Sequence, residues 1–286
     1  RNSGKTGFCG VDSTIYLARA ALHMWEEPCI SGKKGSGAVF FSGCGLRCCF
    51  CQNHDIAIGS RGRAVSVERL GEIFLELKEK GAANINLVTG AHYVPQIIEA
   101  LDMARRNGLD IPVVYNSSGY EKTETLKLLE GYVDIYLPDL KYLDPELAQK
   151  FSYAPDYVQA AKAAIGEMVR QTGKCEFGED GYIRKGTIVR HLILPGHTGN
   201  SIKVLRYLHE TYGEDIYISI MNQYTPVRKF VEFKELNRKV TKREYEKVLD
   251  AAVDMGIQNG FIQEGETASE SFIPDFDYEG VEKNTP

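Results

Sequence analysis

Six short apolar segments, rich in β-branched and aromatic residues, alternate with helical patterns along most of this chain of 286 residues. Such segments predict strands, which lie at residues 38–42, 84–88, 111–115, 133–137, 187–194 and 215–220. Near-continuous apolar strands that alternate with helices are typical of a parallel sheet covered by helices. Six such units predict an α/β fold, a partial (β/α)6 barrel of the TIM type. An open doubly wound sheet is the alternative.

The helices between these strands each present one apolar face. In the first of them, the residues at i, i+3, i+4 and i+7 are Leu70, Ile73, Phe74 and Leu77. Ser66 is a candidate N-cap for this helix, and Gly81 follows its expected end. Further helices are predicted at residues 93–107, 123–130, 156–172, 202–212 and 241–255.

Two connections are longer than a simple turn. Residues 43–65, between the first strand and the first helix, show no periodic pattern. Loops of this length in compact domains are usually functional, and in a β/α barrel the loop after a strand lies on the catalytic face. The polar, glycine-rich residues 173–186 predict a mobile surface loop.

Composition and charge exclude several classes of protein. The chain is 43% hydrophobic and 26% charged, as in ordinary globular proteins. A formal charge of -5 gives no broad basic surface, so nucleic acid is not an expected partner. No uncharged apolar stretch is long enough to span a membrane, and residues 1–30 lack a signal pattern. We therefore expect a cytoplasmic protein without membrane association.

The cysteines indicate metal or redox chemistry. There are seven, at positions 9, 29, 44, 48, 49, 51 and 175. Four lie in the long loop and the total is odd, which argues against a disulfide framework and for a reducing compartment. The sequence assigns no role to Cys9, Cys29 and Cys175.

The loop contains the motif Cys44-x3-Cys48-x2-Cys51. Thiolates are soft ligands that suit zinc or iron–sulfur centres. Three ligands leave one iron of a [4Fe-4S] cluster open, whereas structural zinc normally takes four ligands. The alternative is a zinc knuckle completed by Cys49 or His54. Cys49 lies between two proposed ligands, so we expect it to point away from them.

The cysteine motif, with an aromatic residue directly before Cys51 and a position just after the first strand, resembles that of the radical S-adenosylmethionine enzymes. The resemblance implies a partial barrel of the radical SAM type in which Cys44, Cys48 and Cys51 hold a [4Fe-4S] cluster. The open iron would chelate the amino and carboxylate groups of S-adenosylmethionine. Its reductive cleavage would give a 5'-deoxyadenosyl radical that abstracts a hydrogen atom from a substrate.

Further stretches of the sequence resemble one subgroup of these enzymes. Residues 35–37, 52–53, 139–141, 190 and 194–196 are similar to the activating enzymes of glycyl-radical enzymes such as pyruvate formate-lyase. Residues 23–28, 84–89, 114–116 and 223–226 look like an uncharacterised branch of homologues. The implied partners are a glycyl-radical protein as substrate and a flavodoxin or ferredoxin as electron donor. The alternatives are modification of another peptide or small molecule, or a zinc-stabilised binding module without catalysis.

The resemblance also implies which residues contact S-adenosylmethionine. They are Thr89, Gly90, Asn116, Asp139, Lys141 and Arg190. The residues themselves leave alternatives open, because Asp139 and Lys141 at a strand end could form a rim salt bridge, and Asn116 could be a turn residue. Arg190 lies in an apolar strand, where a buried arginine needs an anionic partner.

The chain departs from the family pattern at two places. Relatives usually carry Gly-Gly-Glu where this chain has residues 89–91 (Thr-Gly-Ala), so the acidic contact to the methionine amino group is missing. His92 is a candidate substitute. After the sixth strand, activating enzymes have a histidine where this chain offers Gln223. His191, which alternates to the other side of its strand from Arg190, is expected to be a packed core histidine.

The predicted domain organisation has three parts. Residues 1–34 form an N-terminal extension, of which residues 5–10 resemble the last part of a cysteine-rich element in relatives. Residues 35–263 form the radical SAM core, and residues 264–286 form a C-terminal tail.

Overall fold

The computed structural model describes residues 5–262 and 274–283. Its strands, in chain order, are β1 (Ile15–His23), β2 (Ser36–Phe41), β3 (Arg63–Val65), β4 (Ile85–Val88), β5 (Val113–Ser117), β6 (Ile135–Pro138), β7 (Glu176–Phe177), β8 (Ile183–Leu192), β9 (Tyr217–Met221) and β10 (Gly260–Ile262). Its helices are α1 (His54–Ala57), α2 (Val67–Glu79), α3 (Val94–Arg106), α4 (Thr123–Leu128), α5 (Pro145–Ser152), α6 (Tyr157–Thr172), α7 (Thr198–Tyr212) and α8 (Lys242–Asp254). None of the helices in these two described ranges is long and apolar enough to cross a membrane.

The sheet is parallel over most of its width. Its strand order is β10-β9-β8-β6-β5-β4-β2-β1-β3, with β7 paired to β8, and each neighbouring pair from β2 to β10 is parallel. In a doubly wound sheet the strand order reverses at a switch point. Here each new parallel strand is added on the same side and the sheet does not close. The predicted partial barrel is therefore confirmed, and β10 adds a parallel strand to the six predicted.

Helix α2 has the N-cap, the buried apolar face and the terminal glycine that its sequence pattern predicts. The Ser66 hydroxyl accepts a hydrogen bond from the backbone N–H of Arg69, as expected of an N-cap. The four apolar residues at i, i+3, i+4 and i+7 are all buried. Gly81 follows the helix with a φ of +86°, a conformation that favours glycine. Both predicted boundary signals are confirmed.

Several elements were not predicted. Strand β1 lies within the predicted N-terminal extension and pairs with β2 in antiparallel fashion. The long loop 43–65 contains α1 and β3, and β3 pairs with β1. In residues 173–186, β7 forms a short antiparallel pair with β8. Pairing with a neighbouring strand stabilises β1, β3 and β7, and no local sequence pattern predicts it.

Helix α5 was also missed, although its start carries a signal. The side chain of Asp144 accepts a hydrogen bond from the backbone N–H of Glu146 at 2.9 Å, and Pro145 occupies the first turn. The helix ends at Tyr153, which caps it with a left-handed backbone at φ 54°. This end of α5 lies against the cysteine loop.

His191 is a core histidine, as predicted. It is 1% exposed, and its Nδ1 lies 2.7 Å from the carbonyl oxygen of Leu140 while its Nε2 lies 2.9 Å from the Ser201 hydroxyl. A carbonyl can only accept, so Nδ1 carries the proton and Nε2 accepts from Ser201. Burial lowers the pKa of His191 to about 4, and the ring is neutral in the folded protein.

The described part of the predicted C-terminal tail, residues 274–283, packs against β1. The backbone N–H of Tyr278 donates to the carbonyl of Ala18 at 3.1 Å, and that of Ala20 donates to the carbonyl of Glu279 at 2.8 Å. Arg19 pairs with Asp277 at 2.7 Å. These contacts cover the outer strands of the sheet.

Candidate active site at the carboxyl ends of the strands

A cavity of about 400 Å³ lies inside the partial barrel and reaches the carboxyl ends of its strands. It is lined by eight of the nine residues predicted to bind the cluster or S-adenosylmethionine: Cys44, Cys48, Cys51, Thr89, Asn116, Asp139, Lys141 and Arg190. Gly90 does not line it. The cysteines Cys9, Cys29 and Cys175 do not line it either.

The register of the parallel strands explains why residues so distant in sequence meet here. Val88 pairs with Asn116, and the backbone of Thr89 donates to the carbonyl of Asn116 at 2.9 Å. Asp139, directly after β6, pairs with Arg190 on β8. Because the strands run in the same direction, their ends present these side chains at similar depth.

The cysteine loop is held in place by Arg47. Its Nη1 donates to the carbonyls of Cys44 at 3.2 Å and Ala57 at 3.1 Å. Its guanidinium also donates to the carbonyl of Phe8 and lies 4.9 Å from the centre of that ring. Arg47 therefore ties the start of the loop to the end of α1 and to the N-terminal segment.

The three cavity cysteines form a set of half-buried thiols. Burial and the proximity of Cys48 raise the pKa of Cys44 to about 11 and that of Cys51 to about 12, and burial also raises the pKa of Cys48. Soft, mutually close sulfur donors suit an iron–sulfur cluster, whose binding would displace the protons. The donor set therefore fits a [4Fe-4S] cluster. Cys49 is buried and, as expected, does not face the cavity.

The thiols do not converge on a single point. Within residues 5–262 and 274–283, no three His, Cys, Asp or Glu side chains are grouped so that they could hold one metal ion. A cubane takes one thiolate per iron, so its ligands need not meet around one ion.

Asp139 and Lys141 form an ion pair on the cavity wall. Burial alone would lower the pKa of Lys141, but the charges of Asp139 and Cys48 outweigh it and raise that pKa. The lysine is therefore a stable cation beside the thiols. The Tyr157 hydroxyl accepts from the backbone N–H of Lys141 at 3.0 Å, which fixes this segment.

Arg190 has two anionic partners that the sequence did not reveal. Its Nε and Nη2 donate to the carboxylate of Glu27 at 2.9 and 2.7 Å, and Nη2 also pairs with Glu26. All three residues line the cavity. Burial would raise the pKa of Glu27, but Arg190 outweighs it and lowers that pKa. Two features of the sequence could have indicated these partners. A buried arginine needs an anion, and residues 23–28 contain two adjacent glutamates.

The remaining predicted contacts differ in their surroundings. Thr89 has a φ of +63°, an unusual backbone for a β-branched residue and one that often marks functional sites. A Cβ on Gly90 would lie 2.7 Å from Cδ1 of Ile97, so this glycine allows close packing behind the cavity. The contact of Gly90 with the cofactor stays a prediction.

His92 and Gln223 were the candidates at the two places where the chain departs from the family pattern, and Gln223 is the one that lines the cavity. The Nε2 of His92 lies 2.7 Å from the carbonyl of Ser42, and the ring does not line the cavity. Gln223 does line it, and its backbone carbonyl accepts a hydrogen bond from Nε2 of Gln52 at 3.2 Å.

Comparison with known proteins decides the family. Residues 38–208 match the Radical SAM superfamily. The chain belongs to this superfamily. The predicted resemblance is confirmed, and membership implies S-adenosylmethionine and a [4Fe-4S] cluster as cofactors.

Two curated relatives refine this assignment. The chain is 28% identical over 254 residues to the uncharacterized protein MJ0674 of Methanocaldococcus jannaschii, an alignment that covers 86% of this chain and 69% of that protein. It is 27% identical over 113 residues to the pyruvate formate-lyase-activating enzyme of Clostridium pasteurianum, covering 38% of this chain and 46% of that enzyme. This radical SAM protein is therefore a distant homologue of the activating enzyme.

A solved structure shares the fold. Streptococcus suis SuiB bound to precursor peptide SuiA superposes with a TM-score of 0.51 at 14% identity, covering 78% of this chain and 47% of that chain. This chain thus spans about half the length of the solved protein.

Proposed function

We propose that this radical SAM protein is an activating enzyme of a glycyl-radical protein. Cys44, Cys48 and Cys51 hold the cluster, and the cavity they line receives S-adenosylmethionine. The main support for this proposal is that these thiols line the same cavity as the ion pair of Asp139 and Lys141. A reduced cluster held there would supply the one electron that cleaves S-adenosylmethionine to methionine and a 5'-deoxyadenosyl radical.

The chain's own residues bind and orient the cofactor in this proposal. The Lys141 ammonium attracts a carboxylate, and the Asp139 carboxylate accepts from ribose hydroxyls or an ammonium. The Asn116 amide and the backbone of Thr89 add neutral contacts. Arg190, held by Glu26 and Glu27, keeps its guanidinium at the cavity wall in a fixed orientation.

The finer part of the proposal concerns the substrate. It is supported by the stretches similar to activating enzymes and by the relative from Clostridium pasteurianum. A glycine-containing loop of the partner protein would enter the cavity, and a flavodoxin or ferredoxin would supply the electron. The protein's contribution is orientation and exclusion of water, because the reactivity belongs to the cofactors.

Anaerobic reconstitution with iron and sulfide tests the first part. The wild-type protein should become brown, bind iron, give an EPR signal on reduction and release 5'-deoxyadenosine from S-adenosylmethionine. Cys48→Ala should lose both iron and product, whereas Cys49→Ala is a matched control that should retain them. A colourless wild-type protein that binds stoichiometric zinc would instead be the zinc-stabilised binding module.

The substrate is tested with any glycyl-radical protein whose gene lies beside the gene of this chain. Incubation of that protein with the reduced enzyme should produce a glycyl-radical EPR signal. Release of 5'-deoxyadenosine without a glycyl radical on the protein would favour another peptide or a small molecule as substrate.

A further inference from the structure

A chain of two hydroxyl groups leads from the protein interior to the sulfur of Cys48. The Ser152 Oγ lies 3.0 Å from Sγ of Cys48, and the Tyr142 hydroxyl lies 2.9 Å from the Ser152 Oγ. Both residues are buried, with 1% and 0% exposure. Neither residue was a predicted site residue, since Ser152 is 104 residues from Cys48 in sequence.

A thiolate at Cys48 fixes the direction of these hydrogen bonds. A ligating thiolate has no proton and can only accept. The single hydroxyl proton of Ser152 therefore points to the sulfur, and the Ser152 oxygen accepts from Tyr142. The phenol keeps its proton at neutral pH and is the outer donor.

The two donors are held rigidly. Ser152 ends α5, where the backbone N–H of Cys49 donates to the carbonyl of Phe151 at 2.8 Å. The Tyr142 ring packs edge-on against Tyr157 with ring centres 5.5 Å apart. The same helix end thus positions the cysteine loop and the hydroxyl that reaches its sulfur.

The three proposed ligands differ in the hydrogen bonds that their sulfur atoms accept. Cys44 accepts a hydrogen bond from the backbone N–H of Leu46 at 3.4 Å, so its donor is a main-chain group. Among the described residues, Cys48 is the proposed ligand to which a side chain donates. A hydrogen bond to a ligating sulfur draws charge from it and favours the more negative, reduced form of the cluster.

We propose that Ser152, oriented by Tyr142, is a positioning residue that donates a hydrogen bond to the cluster ligand Cys48 and raises the reduction potential of the cluster. The inference rests on the proposed function, because it requires a cluster at Cys44, Cys48 and Cys51. Its effect is to make the one-electron reduction by the donor protein more favourable.

The test is an EPR-monitored redox titration of reconstituted wild-type, Ser152→Ala, Tyr142→Phe and Ser201→Ala proteins. Ser152→Ala should lower the equilibrium constant for reduction about tenfold, which is a shift of about 59 mV to more negative potential for one electron. Tyr142→Phe should give a smaller shift in the same direction. Ser201→Ala removes a buried hydroxyl that contacts His191, and its potential should equal that of wild type.

The outcomes separate this inference from the proposed function. If wild type binds no iron–sulfur cluster, the proposed function fails. If wild type, Ser152→Ala and Tyr142→Phe bind equal iron and titrate at the same potential, only the role of Ser152 is overturned. If Ser152→Ala does not retain iron, the Tyr142→Phe potential decides, and an unshifted value rejects the inference.

Discussion

The carboxylate of Glu27 accepts two hydrogen bonds from Arg190, one from Nε at 2.9 Å and one from Nη2 at 2.7 Å. The two residues lie 163 positions apart in sequence, and their side chains are only 5% and 13% exposed. This paired geometry matches the planar fork of the guanidinium to the carboxylate and gives both strength and orientation. It links the segment after β1 to the far side of the partial barrel at β8.

Loss of this pair should destabilise the fold. Glu27→Gln leaves the buried guanidinium with Glu26 as its remaining anionic partner, so we expect a loss of about 2 kcal/mol in the free energy of unfolding. Urea denaturation measures it. Glu282→Gln removes the carboxylate of a solvent-exposed pair with Arg63 and should have little effect. Equal losses in the two variants would contradict the prediction.

Lys141 should contribute to cofactor affinity. Lys141→Met removes the half-buried cation beside the thiols, so the dissociation constant of S-adenosylmethionine should rise about tenfold, equivalent to about 1.4 kcal/mol. Anaerobic calorimetry with the reconstituted protein gives this constant. Lys150→Met is the control, because that lysine pairs with Glu235 and does not line the cavity. Unchanged affinity in Lys141→Met would remove the lysine from the binding site.

His191 should make stability depend on pH. Its pKa is about 4 in the folded protein and about 6.5 when unfolded, so between these values the unfolded chain binds more protons. Stability therefore falls as the pH drops below about 6.5, and this residue alone should cost about 2 kcal/mol between pH 7 and pH 5. Denaturation at both pH values should show this loss in wild type and a smaller one in His191→Gln. Identical losses would show that another group is responsible.

Replacing Thr89 with glycine should stabilise the folded protein. A left-handed backbone costs a residue with a Cβ about 1–2 kcal/mol, and the greater freedom of glycine in the unfolded chain offsets part of that. Thr89→Gly should therefore raise the free energy of unfolding by up to about 1 kcal/mol. Thr125→Gly, within helix α4, should lower it, because glycine disfavours helix. Thermal or urea unfolding compares the two, and destabilisation by Thr89→Gly would show that the threonine side chain makes a stabilising contact.

The strands and helices that follow local patterns could be predicted from sequence. Burial on both faces makes β2 and β4 near-continuous apolar runs, and the cap at Ser66 lies three residues from the backbone N–H that it binds. Strand β1 contains four alanine or leucine residues within Leu17–Ala21 and shows no clear alternation. Its antiparallel pairing with β2 makes it a strand.

The sequence by itself determined the family, the cysteine motif and the strand ends from which Asp139 and Lys141 project. These follow from spacing along the chain and from the rule that parallel strands present their carboxyl ends together. Only the tertiary structure decided that Glu26 and Glu27 pair with Arg190, and that Ser152 donates to Cys48. Those contacts join residues more than a hundred positions apart, and their geometry depends on how the whole sheet curves and packs.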